Sequence, residues 1–290
     1  MPLPSRTVDR LKRLLERFPA RSGRMAVLTG AGISAESGIP TFRGPEGYWR
    51  VGSREYRPEE MATYAMFRRD PWEVWSWYLY RWTVCARAQP NRGHTGVAAM
   101  ERALGDRFRL ITQNVDGLHL RAGNSGERTF QIHGNLHHMR CGRPCSTDLR
   151  PLPSSVQPKG RNEPVREEEK RLLICPACGG LARPHVLWFD ECYDEPLFRA
   201  ESAVRWAVGA DLLLVVGTAG ATTLPLRVGE IFCGKTGAVF LDVNPDPNPF
   251  SRMAETHPNG LALYGKSGEM IPAFLEVWEG VFGGRAPDPG

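Results

Sequence analysis

The sequence lacks the long hydrophobic runs that membrane and secreted proteins carry. Its densest apolar run, LLLVV at 212–216, has only the length of a strand, whereas a membrane-spanning helix needs about 20 apolar residues. The first ten residues, MPLPSRTVDR, contain no apolar core of a signal peptide. From the sequence we therefore expect a cytoplasmic protein without a membrane contact.

A strong excess of one charge is also missing, and so is a disulfide pattern. The 290 residues carry a net charge of +5, and the arginines are scattered instead of forming one basic block. This distribution suits an anionic ligand at least as well as nucleic acid, so we expect no direct nucleic-acid binding. Seven cysteines, an odd number with two close pairs, are more typical of a metal site with spare thiols in a reducing compartment.

What the sequence does contain is an alternation of helical and extended segments. TVDRLKRLLERF at 7–18 places its apolar residues on one helical face. Short apolar segments predict buried parallel strands at 26–29, 108–112, 211–216 and 238–243. The alternation predicts an α/β fold with a doubly wound, Rossmann-like parallel sheet.

Two segments do not fit this alternation. Residues 45–89 hold most of the tryptophans and tyrosines, and residues 136–181 hold both cysteine pairs. Neither resembles sheet, and we interpret them as a helical and a zinc-binding insertion that together form a small domain over the strand ends. The large, nucleotide-binding domain would then comprise 1–44, 90–135 and 182–282, followed by a disordered tail at 283–290.

A glycine-rich turn follows the first predicted strand. Gly30, Ala31 and Gly32 allow a tight turn at which backbone N–H groups can approach a pyrophosphate. The usual dinucleotide fingerprint has a third glycine three residues after the second, but here Gly38 is the next, and no acidic residue closes a second strand about twenty positions on. A hydride-transfer site is therefore disfavoured, and a turn that merely joins strand to helix remains the alternative.

Several longer motifs follow the glycine turn. They are QPNRGH (89–94), TQNVDGLH (112–119), QIHGN (131–135), RPHVLWFDE (183–191), VVGT (215–218), DVN (242–244) and GKSGEMIP (265–272). In this order they resemble the sirtuin family of NAD-dependent protein deacylases over residues 23–274. The resemblance implies NAD as a consumed co-substrate and an acyl-lysine protein or peptide as partner. The implied products are nicotinamide, free lysine and O-acyl-ADP-ribose; no motif fixes an oligomeric state.

The resemblance also implies the residues of the site. We expect His133 to take a proton from a ribose hydroxyl, because imidazole is the side chain with an unperturbed pKa near neutral pH. As further catalytic residues, Asn114 would position water and Asp116 would brace the nicotinamide ribose, whereas His94 and His119 would be structural. The implied NAD contacts are Gly30, Ala31, Gly32, Ala35, Thr41, Phe42, Arg43, Gln113, Asn114, Asp116, His133, Gly217, Thr218, Ala219, Asn244 and Ser267.

A pair of polar residues in the first insertion bears on the acyl group. Tyr78 and Arg81 lie three positions apart, on one face if the segment is a helix. They align with the Tyr-x-x-Arg motif of the succinyl- and malonyl-preferring branch, and a planar cation with a phenol suits an acyl carboxylate. The resemblance therefore implies a desuccinylase or demalonylase, with deacetylation as a further activity; a solvated arginine is the alternative. Val186, Trp188 and Phe189 are the other implied substrate contacts.

The two cysteine pairs suggest a structural metal. Cys141-x3-Cys145 and Cys175-x2-Cys178 supply four thiolates, the complement of a tetrahedral zinc site. Four thiolates leave no open position, so the metal should stabilise the small domain without activating water. The alternative is a zinc-free site, or one in which His137 or His138 replaces Cys145.

Two departures from the family pattern keep other functions open. Asp190 stands where the family usually has glycine, so that it would repel an acidic peptide or suit a non-peptide amine, and Ala219 stands where serine is usual. The competing hypotheses are an ADP-ribosyltransferase or NAD hydrolase of the same fold, a deacylase of a small-molecule amide, and a non-catalytic NAD-sensing module.

Overall fold

A computed structural model describes residues 3–40, 49–51, 54–143 and 145–283. The predicted NAD contacts Thr41, Phe42 and Arg43, and residues 284–290 of the predicted tail, lie outside these ranges. The strands are β1 (Met25–Thr29), β2 (Trp49–Val51), β3 (Arg54–Tyr56), β4 (Phe108–Thr112), β5 (Thr129–Gln131), β6 (Gly134–Cys141), β7 (Arg150–Pro151), β8 (Ala182–Val186), β9 (Leu212–Val216), β10 (Val239–Asn244) and β11 (Gly260–Tyr264). The helices are α1 (Ser5–Leu15), α2 (Gly32–Ala35), α3 (Pro58–Met61), α4 (Tyr64–Arg69), α5 (Pro71–Arg87), α6 (Arg92–Leu104), α7 (Leu118–Arg121), α8 (Glu167–Leu172), α9 (Glu195–Phe198), α10 (Ala200–Gly209), α11 (Thr223–Cys233), α12 (Pro249–Thr256) and α13 (Ser267–Phe282).

Among the described residues, six strands form one parallel sheet in the order β11-β10-β9-β1-β4-β5. The chain builds outward from β1 to β4 and β5 on one side, and then from β9 to β10 and β11 on the other. This is the doubly wound Rossmann order, with its switch point between β1 and β9. The predicted fold class is confirmed, and no helix in the described ranges is long and apolar enough to cross a membrane.

Helices cover both faces of this sheet. Successive side chains of a strand point to opposite faces, so Met25 and Val27 of β1 pack with α1, α6 and α13, whereas Ala26 and Leu28 pack with α10, α11 and α12. All five residues of β1 are buried. Burial on both faces explains why the central strands are continuous apolar runs without a polar alternation.

The predicted strands agree closely with the observed ones. The strand at 108–112 has the predicted bounds, and the other three begin or end one residue away. The predicted helix at 7–18 is α1, which ends at Leu15, although Phe18 is still buried in the same core.

The expectation that neither insertion contains sheet is wrong. β2 and β3 form an antiparallel hairpin in the first insertion. In the second, β6 pairs with β7 and β8 in a three-stranded antiparallel sheet, with Cys141 opposite Ala182. The pairing of β6 with β8 joins segments about 40 residues apart, so local sequence patterns do not reveal it.

Both insertions contribute to one hydrophobic cluster. Trp75 and Trp77 of α5 pack with Leu136 and Met139 of β6 and with Ala182 of β8. The indole of Trp75 also donates to the carbonyl of Ala182 at 2.9 Å. We call α3–α5, α8 and β6–β8 the small lobe. The predicted domain bounds stay a prediction, with β8 in the sheet of the small lobe although it falls within 182–282.

Candidate active site

The predicted site residues of the large sheet gather at one edge. Gly30 follows β1, Gln113 follows β4, Gly217 follows β9, and Asn244 ends β10. These four strands are parallel neighbours in the sheet, so their carboxyl ends meet. We call the loops after β1, β4, β9 and β10 the sheet edge; it includes the switch point, which is where doubly wound folds bind nucleotides.

Glycine is required at the sheet edge because two loops pack backbone against backbone. A Cβ on Gly30 would lie 2.6 Å from Cβ of Thr218, and one on Gly32 would lie 2.8 Å from Cα of Gly217. Gly217 has a φ of +63°, a conformation that glycine adopts without strain. The amide of Gly30 donates to Val216 (3.0 Å) and that of Gly32 to Gly217 (2.7 Å). Both amides are thus bonded within the protein instead of facing a pyrophosphate, and the cofactor role of these glycines stays a prediction.

A buried chain of hydrogen bonds orders Asp116. The backbone N–H of Asn91 donates to Nδ1 of His94 (3.3 Å), so the ring hydrogen of His94 is on Nε2, which faces Oγ of Ser34 at 3.3 Å. Ser34 donates to Oδ2 of Asp116 (2.7 Å), and the amide of Leu118 donates to Oδ1 (2.8 Å). Burial raises the pKa of Asp116, while these two hydrogen bonds oppose that shift.

The sequence reasoning missed Ser34, which is central to this chain. The only available signal was its position in the glycine-rich stretch after β1. His94 was expected to be structural, and its bond to Ser34 gives it a definite role in orienting the carboxylate beneath the sheet edge.

Two amide side chains join the loops of the sheet edge. Asn114 donates through Nδ2 to the carbonyl of Gly30 (3.0 Å) and to Oγ of Ser34 (3.1 Å). Gln113 donates through Nε2 to Oγ1 of Thr218 (2.9 Å) and accepts at Oε1 from Thr222 (3.0 Å). The loops after β1, β4 and β9 are therefore cross-linked by side chains that the sequence assigned to NAD.

His133 is held in one tautomer. Its Nδ1 lies 3.0 Å from the carbonyl of Gln113, and since a carbonyl only accepts, Nδ1 carries the hydrogen. Nε2 therefore bears the lone pair, and it lies 2.7 Å from the hydroxyl of Tyr193. Burial lowers the pKa of His133 to about 4, while the bond to Gln113 opposes the shift. At neutral pH the ring is uncharged, which is the form that a general base requires.

The last strand of the site carries a small polar cluster. Asn244 donates to Oδ1 of Asp242 (2.6 Å), and Asn248 donates to Oδ2 (3.0 Å). Burial raises the pKa of Asp242 to about 6. At the start of α13, Ser267 donates to Glu36 (2.9 Å). The predicted contacts Asn244 and Ser267 are thus oriented by acidic neighbours that the sequence reasoning did not include.

The predicted acyl-reading residues lie in the small lobe. Tyr78 is 3% exposed, and its hydroxyl accepts a hydrogen bond from the indole N–H of Trp188 at 2.9 Å. Burial raises the pKa of Tyr78, and the positive charge of Arg81 opposes that shift. Val186 and Trp188 are buried, whereas Phe189 is 54% exposed. Four of the five predicted substrate residues therefore lie within or beside the aromatic interior of the small lobe.

Asp190 has a structural partner that the sequence did not suggest. Its two carboxylate oxygens accept from the amides of Tyr64 (2.7 Å) and Ala65 (3.0 Å), the first two residues of α4. The carboxylate therefore satisfies N–H groups at a helix start, where negative charge is favoured. The expectation that Asp190 serves to repel an acidic peptide or to bind an amine is not needed to explain this residue.

The four cysteines converge as the zinc prediction requires. Their sulfur atoms all lie within 4.8 Å of one another, with Cys141 and Cys178 at 3.6 Å and Cys145 and Cys175 at 3.7 Å. Sulfurs bound about 2.3 Å from a tetrahedral zinc ion lie about 3.8 Å apart, so the four thiolates fit zinc.

The alternative with a histidine ligand does not match the contacts of His137. Its Nδ1 accepts from the indole of Trp82 (3.2 Å), and its Nε2 faces the carbonyl of Asp116 (3.2 Å). Both ring nitrogens are engaged outside the cysteine cluster. His138 is likewise absent from the potential metal-binding group found among the described residues, which consists of the four cysteines.

Comparison with known proteins identifies a family. The Sir2 family model matches residues 30–223. An NAD-dependent protein deacylase from Leptospira interrogans is 35% identical over 268 residues, covering 91% of this chain and 97% of the relative. A solved structure of a mutant Sir2 homologue with 2′-O-acetyl ADP ribose aligns with a TM-score of 0.72 at 33% identity, over 96% of this chain and 98% of the other. A Sir2 homolog–NAD complex aligns with a TM-score of 0.71 at 35% identity, over 94% of each chain.

Proposed function

The chain belongs to the Sir2 family, and on that premise we propose that it is an NAD-dependent protein-lysine deacylase acting on succinyl and malonyl groups. The observation that carries the catalytic part is the state of His133. Its hydrogen is fixed on Nδ1, its lone pair is on Nε2, and it is bonded to Gln113 at the sheet edge, where doubly wound folds bind nucleotides. A neutral imidazole with one oriented lone pair is suited to general-base catalysis.

We propose that NAD supplies the reactive ribose, whose C1′ is attacked by the acyl oxygen of the substrate as nicotinamide leaves. His133 then takes a proton from a ribose hydroxyl as that oxygen attacks the acyl carbon, and a water molecule adds to the same carbon as the lysine amine leaves. The products are nicotinamide, free lysine and O-acyl-ADP-ribose. The neighbour solved with 2′-O-acetyl ADP ribose supports this class of product. Asn114 turns its Nδ2 toward Gly30 and Ser34, which leaves its side-chain oxygen to orient water.

Two observations support an acidic acyl group. The indole of Trp188 donates to the oxygen of Tyr78, and because a phenol has one hydrogen to donate, that hydrogen remains for an acceptor such as a carboxylate. Arg81 lies on the same helix, close enough that its charge lowers the pKa of Tyr78 against the effect of burial. A phenol and a guanidinium at the aromatic interior of the small lobe form a suitable carboxylate clamp.

The test is a mass-spectrometric assay of the purified protein with NAD and three peptides that differ only in carrying acetyl-, malonyl- or succinyl-lysine. Nicotinamide and O-acyl-ADP-ribose are measured together. We expect equal amounts of both products and faster turnover of the two acidic peptides. A preference for acetyl-lysine would contradict the acyl assignment but not the deacylase.

Other outcomes of the same assay identify the competing functions. Nicotinamide release without peptide deacylation would indicate NAD hydrolysis or ADP-ribose transfer. NAD binding without any nicotinamide release would indicate a non-catalytic module.

A further inference from the structure

The imidazole of His133 is held at both nitrogens, and only one of the two partners belongs to a motif recognised in the sequence. Nδ1 is bonded to the backbone of Gln113, whereas Nε2 lies 2.7 Å from the hydroxyl of Tyr193. The two rings are tilted by 31° with centroids 5.8 Å apart. Tyr193 is 60 positions from His133 in the chain, and neither the family resemblance nor the proposed function assigns it a role.

The direction of this hydrogen bond follows from the tautomer. Because Nδ1 donates to a carbonyl, Nε2 can only accept, so the phenol of Tyr193 donates its hydrogen to Nε2. Burial raises the pKa of Tyr193 to about 12, so the phenol retains that hydrogen throughout the neutral range. The lone pair of Nε2, which a general base would use, therefore already accepts a hydrogen bond from the hydroxyl of Tyr193.

The hydroxyl of Thr222 lies beside the phenol of Tyr193 and donates its one hydrogen to the side chain of Gln113 at 3.0 Å. Since the backbone of Gln113 binds His133, Thr222 and Gln113 connect the surroundings of the phenol to the imidazole.

The chain on either side of Tyr193 is anchored as well. Asp190 accepts from the first two amides of α4, and Glu191 is paired with Arg183 at 2.8 Å. Asp194 accepts from the amide of Leu197 at the start of α9 (2.8 Å). A phenol on a segment with this many fixed points meets His133 in one geometry, which is the condition for orienting a catalytic group.

We propose that Tyr193 is a positioning residue for His133. The hydroxyl of Tyr193 binds Nε2 from the position that the ribose hydroxyl takes during turnover, and so keeps the lone pair of Nε2 directed toward that position. This inference rests on the proposed function of His133 as the base. Without the phenol, the ring keeps one hydrogen bond and can turn about it, so the lone pair loses its fixed direction. The step that needs the base should suffer, whereas cleavage of the nicotinamide–ribose bond, which needs no base, should not.

The experiment compares Tyr193→Phe with the wild type in two assays. Exchange of labelled nicotinamide into NAD in the presence of acyl-peptide reports the first, reversible bond cleavage. Single-turnover formation of O-acyl-ADP-ribose reports the whole reaction, including the base-dependent step. General-base catalysis contributes about 10²- to 10⁴-fold, and losing orientation alone should cost a part of that. We expect product formation to fall about 10-fold and exchange to stay within about 2-fold.

Two further variants calibrate the ratio of exchange to product formation. Tyr264→Phe is the matched control, because the hydroxyl of this exposed phenol is bonded to Glu255 of α12 instead of to an imidazole, and it should leave the ratio unchanged. Thr222→Val removes the hydroxyl that lies beside the phenol and binds Gln113, and it should raise the ratio less than Tyr193→Phe does. The proposal would be overturned if Tyr193→Phe left the ratio unchanged, which includes a parallel fall of exchange and product formation. Faster product formation in this variant would also overturn it.

A measurement on the free protein separates this proposal from the proposed function. In a ¹⁵N spectrum of the imidazoles, Nε2 of His133 should shift in Tyr193→Phe because it loses a donated hydrogen bond, while the resonances of His94 stay in place. An unshifted Nε2 resonance would overturn the role of Tyr193 whatever the activity. Absence of peptide-dependent nicotinamide release from the wild type would instead contradict the proposed function, and the catalytic role of Tyr193 with it.

Discussion

The sheet edge and the small lobe are stabilised in different ways. At the sheet edge, loops after parallel strands are fixed by strand order, and their side chains form continuous hydrogen-bond chains such as that from His94 through Ser34 to Asp116. The small lobe relies on a four-cysteine cluster, on aromatic packing and on a helix whose first amides are bound by a carboxylate from another loop.

This difference predicts which substitutions will alter catalysis and which will alter folding. Replacing a polar side chain at the sheet edge leaves the apolar core of the sheet unchanged and should alter the catalysed reaction. A substitution at an anchoring point of the small lobe should alter folding first, because the cysteine cluster and the aromatic packing hold that lobe together. The following experiments test that division, beginning with the largest expected effect.

Loss of zinc should have the largest effect, and it should act on stability. Cys175→Ser removes one of four thiolates, and structural zinc contributes on the order of 10 kcal/mol in small zinc domains. We expect loss of the bound zinc and a clearly lower melting temperature. Cys233→Ser, at a half-buried cysteine outside the cluster, is the control and should retain metal and stability. Equal melting curves for both variants would contradict a structural metal.

His133→Ala should have the next largest effect, and it should act on chemistry. Removing the base should slow deacylation by about 10²- to 10⁴-fold while NAD binding and the melting temperature stay close to wild type. Burial lowers the pKa of His133 to about 4, so the base stays neutral as the pH falls from 7 to 5. The kcat/KM of the wild type should therefore fall only when the pH is lowered to near 4, where His133 becomes protonated. Unchanged turnover in the variant would remove His133 from the mechanism.

Arg81→Met should have a smaller and selective effect. A hydrogen bond to a charged group contributes about 1.5–3 kcal/mol, so the KM for succinyl-lysine peptide should rise about 10-fold or more. The KM for acetyl-lysine peptide should change little, because that group has no carboxylate. Arg87→Met, at an exposed arginine near the end of the same helix, should change neither value. An equal rise for both peptides would end the carboxylate-clamp hypothesis.

Asp190→Ala should have the smallest effect. It removes the acceptor of two amides at the start of α4, and loss of a hydrogen bond costs about 1 kcal/mol. Urea unfolding should show that loss, and Asp190→Asn, which can still cap, should show less. If Asp190 instead repelled acidic substrates, Asp190→Ala would lower the KM for acidic peptides without changing stability.

The sequence predicts the sheet edge better than the small lobe, for a physical reason. A strand buried on both faces, such as 108–112, is recognisable in the sequence as an apolar run. Gln113 and Asn114 directly follow this strand, so predicting the strand also predicts that they lie at its carboxyl end. The four cysteines also carry their own spacing signal. In contrast, β6 reads GNLHHMRC with mixed burial, so neither periodicity nor composition marks it as a strand.

The partners that orient the site were beyond sequence reasoning. Tyr193 meets His133 across 60 positions, and Asp190 meets Tyr64 across 126. Such contacts arise from how loops pack, and no spacing rule connects their members. The motifs predict which residues form the site, and the hydrogen bonds of this chain show how those residues are held.

The packing of Gly32 against Gly217 has a consequence for how this protein can change over generations. A side chain on either glycine would enter the space of the other loop, so the loops after β1 and β9 cannot vary one at a time. A substitution tolerated in one depends on what occupies the other, and the two segments form a single heritable unit although about 185 residues separate them. Recombination between relatives should therefore preserve this packing only when the two parents carry glycine at both positions.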